Sequence, residues 1–210
     1  MRGRLLAIAA LAGVVASASL ASGATARSTA TPPLTIYAAA SLTEVFKAGI
    51  VDKPVTFTAN RLALIVPKSN PAGIKSIYDL RSKPVKLVVA APAVPVGGYT
   101  LSVLRKMGLS SVLGKVVSRE SDVKAVTGKV ALGQADAGFV YVTDARPVSD
   151  QVRVIRIPAW AQPRVRYEIA VVSKSPSKAA ARAWVKMVLS VKGQTALKNA
   201  GFLPLPKASS

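Results

Sequence analysis

Short apolar runs bounded by proline and glycine alternate along this chain with stretches of helical period. Residues 34–38 (LTIYA), 61–66, 85–91, 137–142, 152–157 and 167–172 read as strands. Between them lie helical patterns. Ser41-Leu42-Thr43-Glu44 has the form of a capping box and opens a helix cut short at Gly49. Residues 76–80 read as a short helix. A loop rich in proline and glycine (Pro92, Pro95, Gly97, Gly98) leads into a helix carrying Leu101, Val103, Leu104 and Met107, stopped by Gly108. Ser121 is placed to cap a further helix with Val123, Val126, Val130 and Leu132, stopped by Gly133. Ser175-Pro176 opens a C-terminal helix with Trp184, Val185, Val188 and Leu189 as its apolar stripe, and a last helix ends at Gly201. This order defines an α/β chain with a mostly parallel sheet or two small sheets.

The N-terminus has a different design. Arg2 and Arg4 precede an uncharged apolar segment, residues 5–20, and Ala24-Thr25-Ala26 offers a small-x-small cleavage site. Residues 1–26 therefore read as a signal peptide, and the mature chain begins near Arg27. No cysteine follows the signal, so no lipid anchor is expected there. The expected location is outside the cytoplasmic membrane, periplasmic or otherwise extracytoplasmic.

The chain has no histidine and no cysteine. Disulfides, thiol catalysis, His-based nucleophile systems and zinc sites built on those residues are excluded. Signal removal leaves 27 basic and nine acidic side chains, a formal charge of +18. The basic residues are spread out, without interleaved aromatics for base stacking, so a solvated basic surface is expected rather than a nucleic-acid partner.

Ligands of α/β sheets lie beyond the carboxyl ends of strands, at the turns into helices. Three such turns present free backbone N–H groups: Ala40-Ser41, Val96-Gly97-Gly98 and Ser121-Asp122-Val123. Each has a plain alternative. Ser41 serves equally as a cap, Gly97 and Gly98 as turn residues, and Tyr141 as a core tyrosine. Asp144 reads as a turn or cap residue.

Several segments, in order, resemble the extracytoplasmic molybdate-binding proteins that feed ABC transporters. They are LTIYAAASLTE (34–44), NRLALIVPK (60–68), APAVPVGGY (91–99), GQADAGFVY (133–141), residues 167–172, and Gly201-Phe202. The resemblance implies a two-lobed fold of the periplasmic-binding-protein type II kind, closing on an oxyanion. It implies a first lobe from residues 27–70 and 158–210, and a second lobe from residues 71–157. It also implies four ligand positions: the hydroxyl and amide of Ser41, the backbone amides of Val96 and Val123, and the phenol of Tyr141. The ligand would be molybdate or tungstate and the partner a membrane permease. The protein would be a monomer without enzymatic activity, cofactor or direct cation ligand.

One departure stands out. After the first helix the family continues with a second strand, a turn with a second ligand serine, a helix and another strand. Here residues 46–52 run straight into the part that follows all of those. More than one βαβ unit is absent, the second serine has no counterpart, and the first lobe is expected to be truncated. Two other functions fit the residues: an exported protein binding anions nonspecifically, and a hydrolase using Ser41 or Tyr141 with a lysine.

Overall fold

The computed structural model describes residues 50–205. The signal segment, the strand expected at 34–38 and the helix expected at 41–48 lie outside them.

Among the described residues seven strands form two sheets. β1 (Val55–Asn60) and β7 (Val165–Ile169) pair antiparallel as a two-stranded ladder. The larger sheet contains β2 (Leu62–Pro67), β3 (Leu87–Ala90), β4 (Val116–Glu120), β5 (Ala137–Tyr141) and β6 (Val152–Arg156) in the order β4-β3-β5-β2-β6. β3 runs parallel to β4 and β5, whereas β2 runs antiparallel to β5 and β6. The outcome is two sheets, the larger of them mixed. β2 precedes the lobe boundary expected after residue 70, yet both its ladders lie in the larger sheet.

Burial explains these positions. Every residue of β2 and β3 is buried, as suits strands flanked on both sides. β4 and β6, at the edges, carry polar or charged residues as well as apolar ones and are only partly buried. The sequence reading had neither β1 nor β4. Each is short and polar along much of its length, and pairing with β7 or β3 makes it a strand.

Among the described residues six α-helices connect or follow the strands: α1 (Asp79–Ser82), α2 (Pro95–Lys106), α3 (Val123–Ala131), α4 (Val142–Ala145), α5 (Lys178–Leu189) and α6 (Val191–Asn199). Four expectations are corrected. The helix read at 76–80 starts later, because the Asp79 carboxylate accepts the Lys75 and Ser76 amides and holds those residues in a turn. The proline-glycine segment is not loop throughout. Pro95 is the first residue of α2, so Val96, Gly97 and Gly98 form its first turn. Asp122, not Ser121, caps α3, its carboxylate accepting the Ala125 amide at 2.9 Å. Ser175-Pro176 precedes α5 by a turn; the Ser175 hydroxyl accepts the Ser177 amide at 3.1 Å, and the helix starts at Lys178.

The core lies around the larger sheet, with Phe139, Leu62, Leu64, Ile65 and Leu104 fully buried. α3 packs closely on β5 because Gly138 has no side chain. A Cβ there would lie 2.8 Å from Val126 Cγ1 and 3.0 Å from Val130 Cγ2. By contrast, α5 and α6 bury no residue, and Trp184 of the expected apolar stripe is 39% exposed. Gln194 Nε2 of α6 donates to the Phe57 carbonyl at 3.0 Å, and Arg182 of α5 meets Asp52 at 3.2 Å.

The chain passes between the sheets twice, at Asn60-Arg61 and between β6 and β7. Gln162 ties the crossings together. Its amide accepts the Leu62 N–H at 3.0 Å and donates to the Leu62 carbonyl at 2.9 Å.

Candidate functional site

The site can be built from the carboxyl ends of three adjacent strands. β4, β3 and β5 are parallel neighbours, so their ends open on one edge of the sheet. α3 starts beyond β4, α2 beyond β3, and Tyr141 is the last residue of β5. Val123, Val96 and Tyr141 thus stand on the same edge. Ser41 lies outside the described residues.

At the start of α2, the Val94 carbonyl accepts the amides of Gly97 at 2.8 Å and Gly98 at 3.1 Å. The Val96 amide sits in the first turn, where a helix has no acceptor of its own to offer. The Val96 side chain is buried in the core, so the polar group it can present is on its backbone. Gly97 lets this turn press against the end of β3: an added Cβ would lie 2.1 Å from the Ala91 carbonyl oxygen. At the start of α3, Asp122 takes the Ala125 amide, while the Val123 amide is the first of the helix and has no acceptor within it.

Tyr141 is half-buried. Its amide donates to Asp144 Oδ2 at 3.2 Å, and its ring meets Tyr99 of α2 edge to face, with centroids 6.5 Å apart. That contact joins the end of β5 to the start of α2. Among the described residues the Tyr141 hydroxyl makes no hydrogen bond. Burial above all, helped by the nearby Tyr167, Tyr99 and Asp144, raises its pKa beyond the ordinary tyrosine range. The phenol is therefore a neutral donor at any physiological pH.

Sequence reasoning missed the groups behind Tyr141. Asn60 is buried; its Nδ2 donates to Thr143 Oγ1 at 2.9 Å and to the Tyr167 hydroxyl at 3.3 Å. Tyr167 stands edge-on to Phe202, with centroids 5.6 Å apart. Asn60 thus links the first crossing to α4 and β7. An asparagine set between two strand-forming runs was the available signal. Asp144, expected as a turn or cap residue, lies in the first turn of α4 and accepts the amide of the N-cap residue Tyr141; burial is the main influence raising its carboxyl pKa, opposed by the Tyr141 amide and Lys124.

This edge gathers two helix starts and a neutral phenol at the end of a parallel sheet, groups that offer N–H and O–H donors. The chain belongs to the bacterial extracellular solute-binding protein family, whose model matches residues 12–203. It is 36% identical over 164 residues to the molybdate-binding protein ModA of Mycobacterium tuberculosis, an alignment covering 78% of this chain and 62% of that protein. The chain thus spans less than two thirds of the length of that curated relative.

Among solved structures, it resembles a substrate-binding domain assigned to a molybdenum ABC transporter of Clostridium difficile. That pair has a TM-score of 0.66 and 26% identity over 78% of this chain and 72% of the other. It also shares the fold of the periplasmic molybdate-binding protein of Azotobacter vinelandii, with a TM-score of 0.65 and 19% identity, covering 78% and 74%. The fold is α/β, of the periplasmic-binding-protein type II kind. Both the curated relative and the Clostridium difficile domain are named as binding proteins. No helix among the described residues is long and apolar enough to cross a membrane.

Proposed function

We propose that the chain is the solute-binding component of an ABC importer for a tetrahedral oxyanion, molybdate or tungstate, which it delivers to a membrane permease. The observation that carries this reading is the shared edge formed by the ends of β4, β3 and β5, with Val123, Val96 and Tyr141 on it. The names of the similar proteins point the same way.

The chemistry is that of neutral donors replacing water. A dianion entering the cleft loses its hydration. Preorganised amides and a phenol restore it, each charge-assisted bond contributing about 1.5–3 kcal/mol net. Ser41 supplies a hydroxyl and an amide from the first lobe; Val96 and Val123 supply amides; Tyr141 supplies its hydroxyl. The side chains of Val96 and Val123 take no part. The second lobe begins with β2 in this reading, since that strand belongs to the larger sheet. Of the described residues, the first lobe comprises β1, β7 and the C-terminal helices. Export to an extracytoplasmic compartment, without a lipid anchor, and a monomeric state complete the proposal.

Because the segment carrying a second serine has no counterpart, affinity is roughly ten- to a hundredfold below that of a complete site. Calorimetric titration of the mature chain with molybdate, tungstate, sulfate and phosphate tests the function. One-to-one binding of molybdate and tungstate, weakened by Ser41→Ala, supports it. A folded sample that binds none of the four anions refutes it.

A further inference from the structure

A second feature of the same sheet edge is unused by the oxyanion reading. A cavity of about 640 Å³ lies beside the starts of β2 and α4, and none of Val96, Val123 and Tyr141 lines it. Three arginines do: Arg61, Arg146 and Arg156. The backbone brings them together from three elements. Arg61 directly precedes β2. Arg156 pairs in the β2–β6 ladder with Ala63, two residues further along. The Val142 amide donates to the Arg61 carbonyl at 2.9 Å, which draws α4, and Arg146 after it, to the same place.

Among the described residues none of the three guanidinium groups makes an ion pair or a side-chain hydrogen bond, and no carboxylate lines the cavity. Gln162, the one carboxamide near them besides the buried Asn60, is engaged with Leu62 and with the Ile157 carbonyl. All three arginines are exposed, and each leaves its guanidinium donors to an incoming anion. The rest of the wall is mostly apolar, with Leu62, Val142 and Leu203 on it, and Asn60, Ser149 and Gln162 as its polar members.

We propose that this cavity is a second anion site, for a small organic acid carrying at least two negative charges on an apolar body. Guanidinium forks match carboxylate and phosphate oxygens in pairs. The volume is in the range of small-molecule pockets and far exceeds that of a tetrahedral inorganic anion, whose charge would leave the apolar wall unused. The site stands independently of the oxyanion cleft.

The test uses the purified full chain and 1-naphthyl phosphate, with inorganic phosphate and molybdate titrated in the same samples. Naphthyl phosphate is expected to bind one-to-one, more tightly than phosphate, and more weakly as salt is raised. The Arg61→Gln/Arg156→Gln double variant should weaken it at least about tenfold and leave molybdate binding unchanged. Arg146→Gln alone, exposed like the other two and outside the sheet, should weaken it severalfold and serves if the double variant does not fold. Three results overturn the proposal: no binding of naphthyl phosphate, binding indifferent to the arginine substitutions, or displacement of the probe by stoichiometric molybdate. An acidic peptide that competes better than the organic acid would likewise overturn it, in favour of a protein partner.

Discussion

Gly97 offers a sharp test of how the start of α2 is held. A Cβ built on it lies 2.1 Å from the Ala91 carbonyl oxygen, 2.6 Å from that of Ala90 and 2.8 Å from the Ala91 carbonyl carbon. All three obstacles are backbone atoms at the end of β3, so no side-chain rotation relieves the contact. The first turn of α2 has to move away from the sheet. Overpacking costs about 1–3 kcal/mol, and a backbone obstacle places Gly97→Ala at or above about 3 kcal/mol. For a chain of this length that is a fall in Tm of roughly 6–12 °C. The neighbouring glycine is the control. A Cβ on Gly98 meets only the Pro92 carbonyl oxygen, at 3.6 Å, an ordinary contact. Gly98→Ala should be neutral or raise stability by about 0.5–1 kcal/mol, as alanine is the better helix former. Denaturant unfolding of both variants separates the cases. Equal stabilities for the two variants would refute the reasoning. Since the displaced turn carries the Val96 amide, Gly97→Ala should also weaken molybdate binding, whereas Gly98→Ala should not.

Tyr141→Phe should cost molybdate about one charge-assisted hydrogen bond, roughly a ten- to hundredfold rise in Kd by calorimetry, with little change in stability because its hydroxyl has no partner among the described residues. Gly138→Ala should destabilise by about 1–3 kcal/mol, less than Gly97→Ala, since the atoms in its way are valine methyl groups able to turn; urea midpoints decide it. Burial raises the Asp144 pKa, so the protonated acid is favoured in the folded state. Its contribution is complete below the unfolded value and is lost as pH rises through the folded one. Stability measured against pH should therefore decline above the ordinary carboxylate value, and Asp144→Asn should flatten that decline. Mass spectrometry of exported protein should find residues 1–26 removed; an intact N-terminus in that fraction would contradict the signal reading.

The alternation of apolar runs and helical patterns was enough to define an α/β chain, because buried strands such as β2 and β3 must be continuously apolar whatever surrounds them. The helix stops at Gly108, Gly133 and Gly201 were equally local, each falling just past the end of a helix. What escaped the sequence depends on partners distant along the chain. β1 is a strand through its ladder with β7, over a hundred residues away, and β4 through its ladder with β3. The first turn of α2 looked like loop because its glycines signal flexibility locally; only the approach to Ala90 and Ala91 shows that Gly97 is needed for closeness instead. The same holds for function. Helix starts at Val96 and Val123 were visible as separate turns, but their common edge follows from the β4-β3-β5 order. The meeting of Arg61, Arg146 and Arg156 left no trace in spacing, because strand pairing and one backbone hydrogen bond bring them together, and neither depends on the arginine side chains.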